Sequence, residues 1–148
     1  MSPEPRLSYT TVAPEAFRAV LGVSKAVKEC DLEPELLELV NLRASQINGC
    51  AYCLAMHAKA LRAMGETDRR LDILPAWRDA PGYTERERAA LAWAEALTRL
   101  EPDGVSDAVY QNALGQFGEK TLVELTLAVT TINTWNRLNI AFRNPPAD

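Results

Sequence analysis

The stretch Glu38-Leu-Val-Asn-Leu-Arg-Ala-Ser-Gln-Ile-Asn-Gly-Cys50-Ala-Tyr-Cys53-Leu-Ala-Met-His57 decides the fold. Its first half continues an apolar helix that begins at Pro34, where a first helical turn tolerates proline, and runs on through Leu36, Leu37, Leu39, Val40, Leu42, Ala44 and Ile47. Asn48 and Gly49 end it, since glycine takes the left-handed conformation at a helix C-terminus without a Cβ penalty. A second helix then starts at Cys50 and runs through Leu54, Ala58 and Leu61 to about Met64 or Gly65. Returning through so short a turn, this helix is antiparallel to the first.

Outward from this pair the helical pattern repeats. Before it, Phe17, Val20, Leu21 and the run Ser24 to Val27 predict a helix from about Glu15 to Cys30, preceded by an extended arm with Pro3, Pro5 and Pro14. After it comes a looser, charged stretch, Glu66 to Gly82. Thr84 with Glu87 makes a capping box ahead of Ala89 to Leu100. Ser106 or Asp107 caps a helix through Leu114, and Glu119 to about Phe142 reads as a long final helix despite its threonines. No segment alternates as a strand does, so the fold class is all-α, a helical bundle with short loops. Shifting the sequence by 85 places Leu42, Ile47 and Asn48 over Leu127, Ile132 and Asn133, a faint echo of a duplicated helical pair.

With 148 residues, the chain has room for one core of useful size. Hydrophobic residues at 47% and charged residues at 24% exclude disorder over most of its length. Sixteen basic against twenty acidic side chains, net charge -4, offer no surface for nucleic acid or an anionic membrane. No run is long and apolar enough to span a membrane, and Met1 to Thr10 lacks an apolar signal core, so a cytoplasmic location is expected. Three cysteines, an odd number, argue against a secreted disulfide framework; in a reducing compartment a Cys-x-x-Cys pair is reactive or metal-binding. Cys30, alone in sequence, reads as a small buried hydrophobe.

At about 100° per residue, Cys50, Cys53 and His57 fall within an arc of roughly 60° on one helical face. The thiols stand at the helix start, where unpaired N–H groups and the macrodipole favour a thiolate, and His57 is one turn beyond Cys53. An imidazole there can accept the thiol proton. Glu38 lines up with Asn41 and Ser45 in a polar stripe that is either a solvent face or the wall of a polar pocket; periodicity favours solvent. Zinc is the alternative for two thiols and an imidazole, but all three ligands would come from one helix, whereas structural zinc sites draw on separated elements. No metal or cofactor is called for.

The run from Glu38 to His57 resembles the core motif of the AhpD-like alkylhydroperoxidases within the carboxymuconolactone decarboxylase family. Glu85 to Thr98 and Ile132 to Leu138 also resemble segments of its shorter members, and the likeness covers roughly residues 15–143, between an arm (1–14) and a tail (144–148). The resemblance implies a homo-trimer or homo-hexamer with thiol peroxidase activity on hydrogen peroxide or organic hydroperoxides. Position by position, Cys53 matches the peroxide-attacking cysteine, Cys50 the resolving cysteine, and Glu38 and His57 the proton relay. Helix-dipole reasoning by itself favours Cys50 as the nucleophile. The implied partner is a dithiol reductant, a lipoyl-bearing or thioredoxin-like protein, although Tyr52 stands where the lipoyl-linked branch can carry histidine. The competing readings are a redox-sensing or binding protein with negligible turnover, and a lactone decarboxylase, against which the cysteine pair counts.

Overall fold

Every helix after the first begins at a side-chain cap or a proline. The computed structural model describes residues 3–146, so the first two residues of the arm and the last two of the tail lie outside the described residues. Seven helices follow in order: α1 (Tyr9–Val12), α2 (Pro14–Lys28), α3 (Pro34–Asn48), α4 (Ala51–Ala63), α5 (Asp68–Ile73), α6 (Glu85–Thr98) and α7 (Asp107–Phe142), with a 3₁₀ turn at Leu74–Ala76. No strand occurs among the described residues. Proline opens α2 and α3, and Ser106 caps α7 by accepting from the Val109 N–H at 3.3 Å. The capping box of α6 is complete: Glu87 N–H donates to Thr84 Oγ1 at 3.1 Å and Thr84 N–H to Glu87 Oε2 at 2.8 Å.

Long α7 is the organising element, packing against α6, α3 and α2, while α3 also packs against α4 and α6. It is interrupted at Gly118 (φ 73°, ψ 172°), which separates the two helices that the sequence predicts on either side. Beyond the break, Leu122, Leu125, Val129 and Ile132 recur at three- and four-residue intervals and are all buried. Leu122, Leu125 and Val129 meet Leu37, Val40, Ala90 and Trp93 in the main core. Thr126 and Thr131 bond their hydroxyls back to the Leu122 and Leu127 carbonyls, which satisfies these polar groups within the helix.

Two expectations are corrected. The arm is not extended throughout: Tyr9–Val12 is a helical turn, because Arg6 N–H and Nη1 donate to the Phe142 and Ala141 carbonyls at 3.0 Å and the Tyr9 ring packs on Phe17 and Phe142. The charged stretch between α4 and α6 holds α5 and the 3₁₀ turn, since Leu71, Leu74 and Trp77 bury together with Leu39, Leu42, Leu61 and Leu91 in a second cluster. Arg88 holds this segment by donating to the carbonyls of Tyr83, Trp77, Arg78 and Ala80. The internal echo does not extend to burial, with Leu42 at 3% exposure and Leu127 at 46%. No helix among the described residues is long and apolar enough to cross a membrane.

Candidate active site

Gly49, at φ 70°, closes α3 and turns the chain directly into α4. Cys50 is the N-cap of α4, extended at φ -88° and ψ 99°, and its sulfur accepts a hydrogen bond from the Cys53 N–H at 3.3 Å. The two cysteines are joined in a disulfide, with Cα atoms 5.3 Å apart. Both are buried, Cys50 at 1% and Cys53 at 0% exposure. Cys30 is apart from them: half-buried, it donates its thiol to the Val27 carbonyl at 2.8 Å.

His57 is buried one turn beyond Cys53, and its Nδ1 lies 2.6 Å from Glu38 Oε2. A carboxylate only accepts, so Nδ1–H is the donor and Nε2 is left unprotonated in the neutral imidazole. Nε2 is buried and has no hydrogen-bond partner among the described residues. The solvent reading of the Glu38, Asn41 and Ser45 stripe is therefore overturned for this face. Glu38 keeps only 12% of its side chain exposed, and Ser45 is fully buried, donating to the Asn41 carbonyl. Periodicity could not see this because α4 and α7, which cover the stripe, pack on α3 from elsewhere in the chain.

The far wall is made of amides that the sequence reading did not assign to the site. Asn139 of α7, 4% exposed, directs its Nδ2 at Cys53 Sγ, 3.5 Å away. Its Oδ1 accepts from the Tyr9 hydroxyl and from Asn144 Nδ2, both at 2.9 Å. Burial, and then the neighbouring Tyr52, hold the Tyr9 hydroxyl above its ordinary pKa, so it remains a donor. One turn back, Asn136 donates to Ser45 Oγ at 3.0 Å and accepts from Asn48 Nδ2 at 2.9 Å. A signal was present in the sequence: Asn136 and Asn139 continue the apolar stripe of α7, and an amide in a core register needs a buried partner.

Behind α3 a second polar knot fixes the helix. Glu95 of α6, 5% exposed, accepts from Arg43 Nε and Trp77 Nε1 at 2.8 Å each and from Arg78. Burial pushes its carboxyl up, but the hydrogen bonds from Trp77, Arg78 and Arg43 outweigh it and hold the carboxyl below the usual range. Beside the arm, Tyr9, Phe17, Val20, Thr134 and Leu138 line an apolar cleft of about 170 Å³. No cluster of three or more His, Cys, Asp or Glu side chains suited to a metal is found among the described residues.

Residues 14–96 match the sequence profile of the carboxymuconolactone decarboxylase family. The chain is 37% identical over 142 residues to the uncharacterized protein YdfG of Bacillus subtilis (strain 168), covering 96% of this chain and 97% of that one. It superposes with a TM-score of 0.93 on a protein of unknown function from Agrobacterium tumefaciens suggested to be the antioxidant defence protein AhpD; identity is 37%, covering 98% of this chain and 99% of that one. The debrominase Bmp8 shares the fold at a TM-score of 0.81, with 20% identity over 93% of this chain and 74% of its own.

Proposed function

The chain belongs to the carboxymuconolactone decarboxylase family, as an AhpD-like member, and from that premise we propose that it is a thiol-dependent peroxidase. The observation that supports this reading is the disulfide between Cys50 and Cys53 at a helix N-terminus, with an imidazole one turn further on held by a largely buried carboxylate. In the reduced state, Glu38 orients His57 so that Nε2 takes the Cys53 proton. The Cys53 thiolate attacks one peroxide oxygen; the O–O bond breaks, Cys53 becomes a sulfenic acid, and the departing alkoxide or hydroxide takes the proton from His57. The Cys50 thiol then condenses with the sulfenic acid, releasing water and forming the disulfide. A dithiol, a lipoyl-bearing or thioredoxin-like protein in a cytoplasmic setting, returns both thiols and leaves oxidised.

The reading places Glu38 behind His57 rather than in contact with the thiol, a sharper role than a shared relay. The test is peroxide consumption by the purified protein with a panel of dithiols, using hydrogen peroxide and an organic hydroperoxide. Sustained turnover that is lost in Cys53→Ser is the expected result. Rapid oxidation without cycling, for every dithiol offered, would replace the reading with a redox switch. Lactone decarboxylation surviving loss of both cysteines would replace it with the third.

A further inference from the structure

We infer that Asn139 is a catalytic hydrogen-bond donor to the Cys53 sulfur, and that Tyr9, carried by the N-terminal arm, is the positioning residue that keeps the amide turned toward it. The inference deepens the proposed peroxidase and rests on its assignment of Cys53 as the thiol that ionises. Three observations carry it. Asn139 is buried, so its amide has no water to turn to, and its Nδ2 lies 3.5 Å from Cys53 Sγ, within reach for an atom as large as sulfur. Two donors, the Tyr9 hydroxyl and Asn144 Nδ2, converge on Oδ1 at 2.9 Å, which fixes the carbonyl on their side and the NH₂ on the sulfur side. Asn139 also occupies a core register of α7, where an apolar residue would pack at no desolvation cost.

A thiolate gains more than a thiol from an N–H donor, because a hydrogen bond to a charged acceptor is roughly twice as strong as a neutral one. The donor therefore favours ionisation of Cys53 in particular. Helix-dipole reasoning favours Cys50, whose sulfur accepts from the Cys53 N–H at 3.3 Å; the amide from α7 gives the Cys53 sulfur a side-chain donor of its own, which helix-end geometry does not supply. Other titratable groups lie around the site: Cys50, bonded to Cys53; His57, one turn on in the same helix and paired with Glu38 of α3; and Tyr9 of the arm, which reaches Asn139 and has Tyr52 as a neighbour. On α7, exposed Arg137 turns instead to Asn133.

The test uses the full chain, reduced, with Cys30→Ser and Cys50→Ser so that Cys53 is the sole thiol, and follows thiolate absorbance near 240 nm against pH. Asn139→Leu deletes the donor to sulfur without adding charge; Asn139→Ala does the same with less volume and covers the case in which the leucine does not pack. In each folded variant, by circular dichroism, the Cys53 midpoint is expected to rise by about one pH unit or more. Tyr9→Phe is expected to raise it by less. An unchanged midpoint in a folded Asn139 variant overturns the donor role, and an unchanged midpoint in Tyr9→Phe overturns the positioning role. The two readings fail separately. No peroxide turnover in the wild type, with the Asn139 shift present, removes the peroxidase and keeps the donor; turnover with the midpoint unmoved does the reverse.

Discussion

Glu38 and His57 meet at 2.6 Å across the turn between α3 and α4, nineteen residues apart in sequence and both largely removed from solvent. The contact fixes which imidazole nitrogen is held and which is left open. With Nδ1 held by the carboxylate, Nε2 is the open nitrogen, and it has no hydrogen-bond partner among the described residues. The arrangement has the logic of a nucleophile, a base and a group that orients the base.

His57→Ala should lower peroxide turnover by about 100-fold or more, the contribution expected of a positioned general base. Glu38→Gln should cost less, since a neutral amide can still accept from Nδ1–H. Steady-state kcat/KM for both variants checks the order, and a Glu38 variant slower than His57→Ala would contradict it.

Replacing Cys50 by serine should stop the cycle after one peroxide per chain. The Cys53 sulfenic acid then has no resolving thiol and accumulates. Intact-mass analysis after a peroxide pulse should show one added oxygen on the peptide that holds Cys53, and an oxygen on Cys50 in the reciprocal Cys53→Ser variant would reverse the two roles.

Glu95→Ala leaves Arg43, 7% exposed, without its carboxylate, and breaking such a buried pair should destabilise the fold by about 3 kcal/mol. The depressed Glu95 carboxyl also fixes the direction with pH. Its stabilising contribution is fully present above the ordinary glutamate value of 4.5 and is lost as pH falls through the lower folded-state value. Urea unfolding of wild type and Glu95→Gln at a series of pH values should show the gap narrowing only on the acidic side.

Gly118→Ala meets no atom within 4 Å of the added Cβ, yet its φ of 73° with ψ of 172° is strained for any L side chain. A loss of about 1 to 3 kcal/mol is expected from backbone strain alone. Thermal or urea unfolding checks it, and an unchanged midpoint would mean that the two halves of α7 join without strain.

Local rules made much of the molecule legible. Pro34, Gly49, the Thr84 and Glu87 box and Ser106 each set an element boundary through bonds made within a few residues of themselves, and those boundaries are observed within two residues. The stretch from Glu66 to Gly82 reads from sequence as loose and charged. Its burial depends on Arg88 satisfying carbonyls from a later helix, a contact with no local signature.

The sequence by itself determined the α3–turn–α4 unit and the pairing of two thiols and an imidazole on one helical face, because helical periodicity and the glycine turn act over a few residues. Only the tertiary structure decided that the Glu38 face points inward, that Asn139 reaches Cys53 across 86 residues, and that Tyr9 reaches Asn139 across 130. Those contacts depend on how α7 and the arm pack over α3 and α4. A polar side chain on a helix reads the same whether a partner helix or water lies above it.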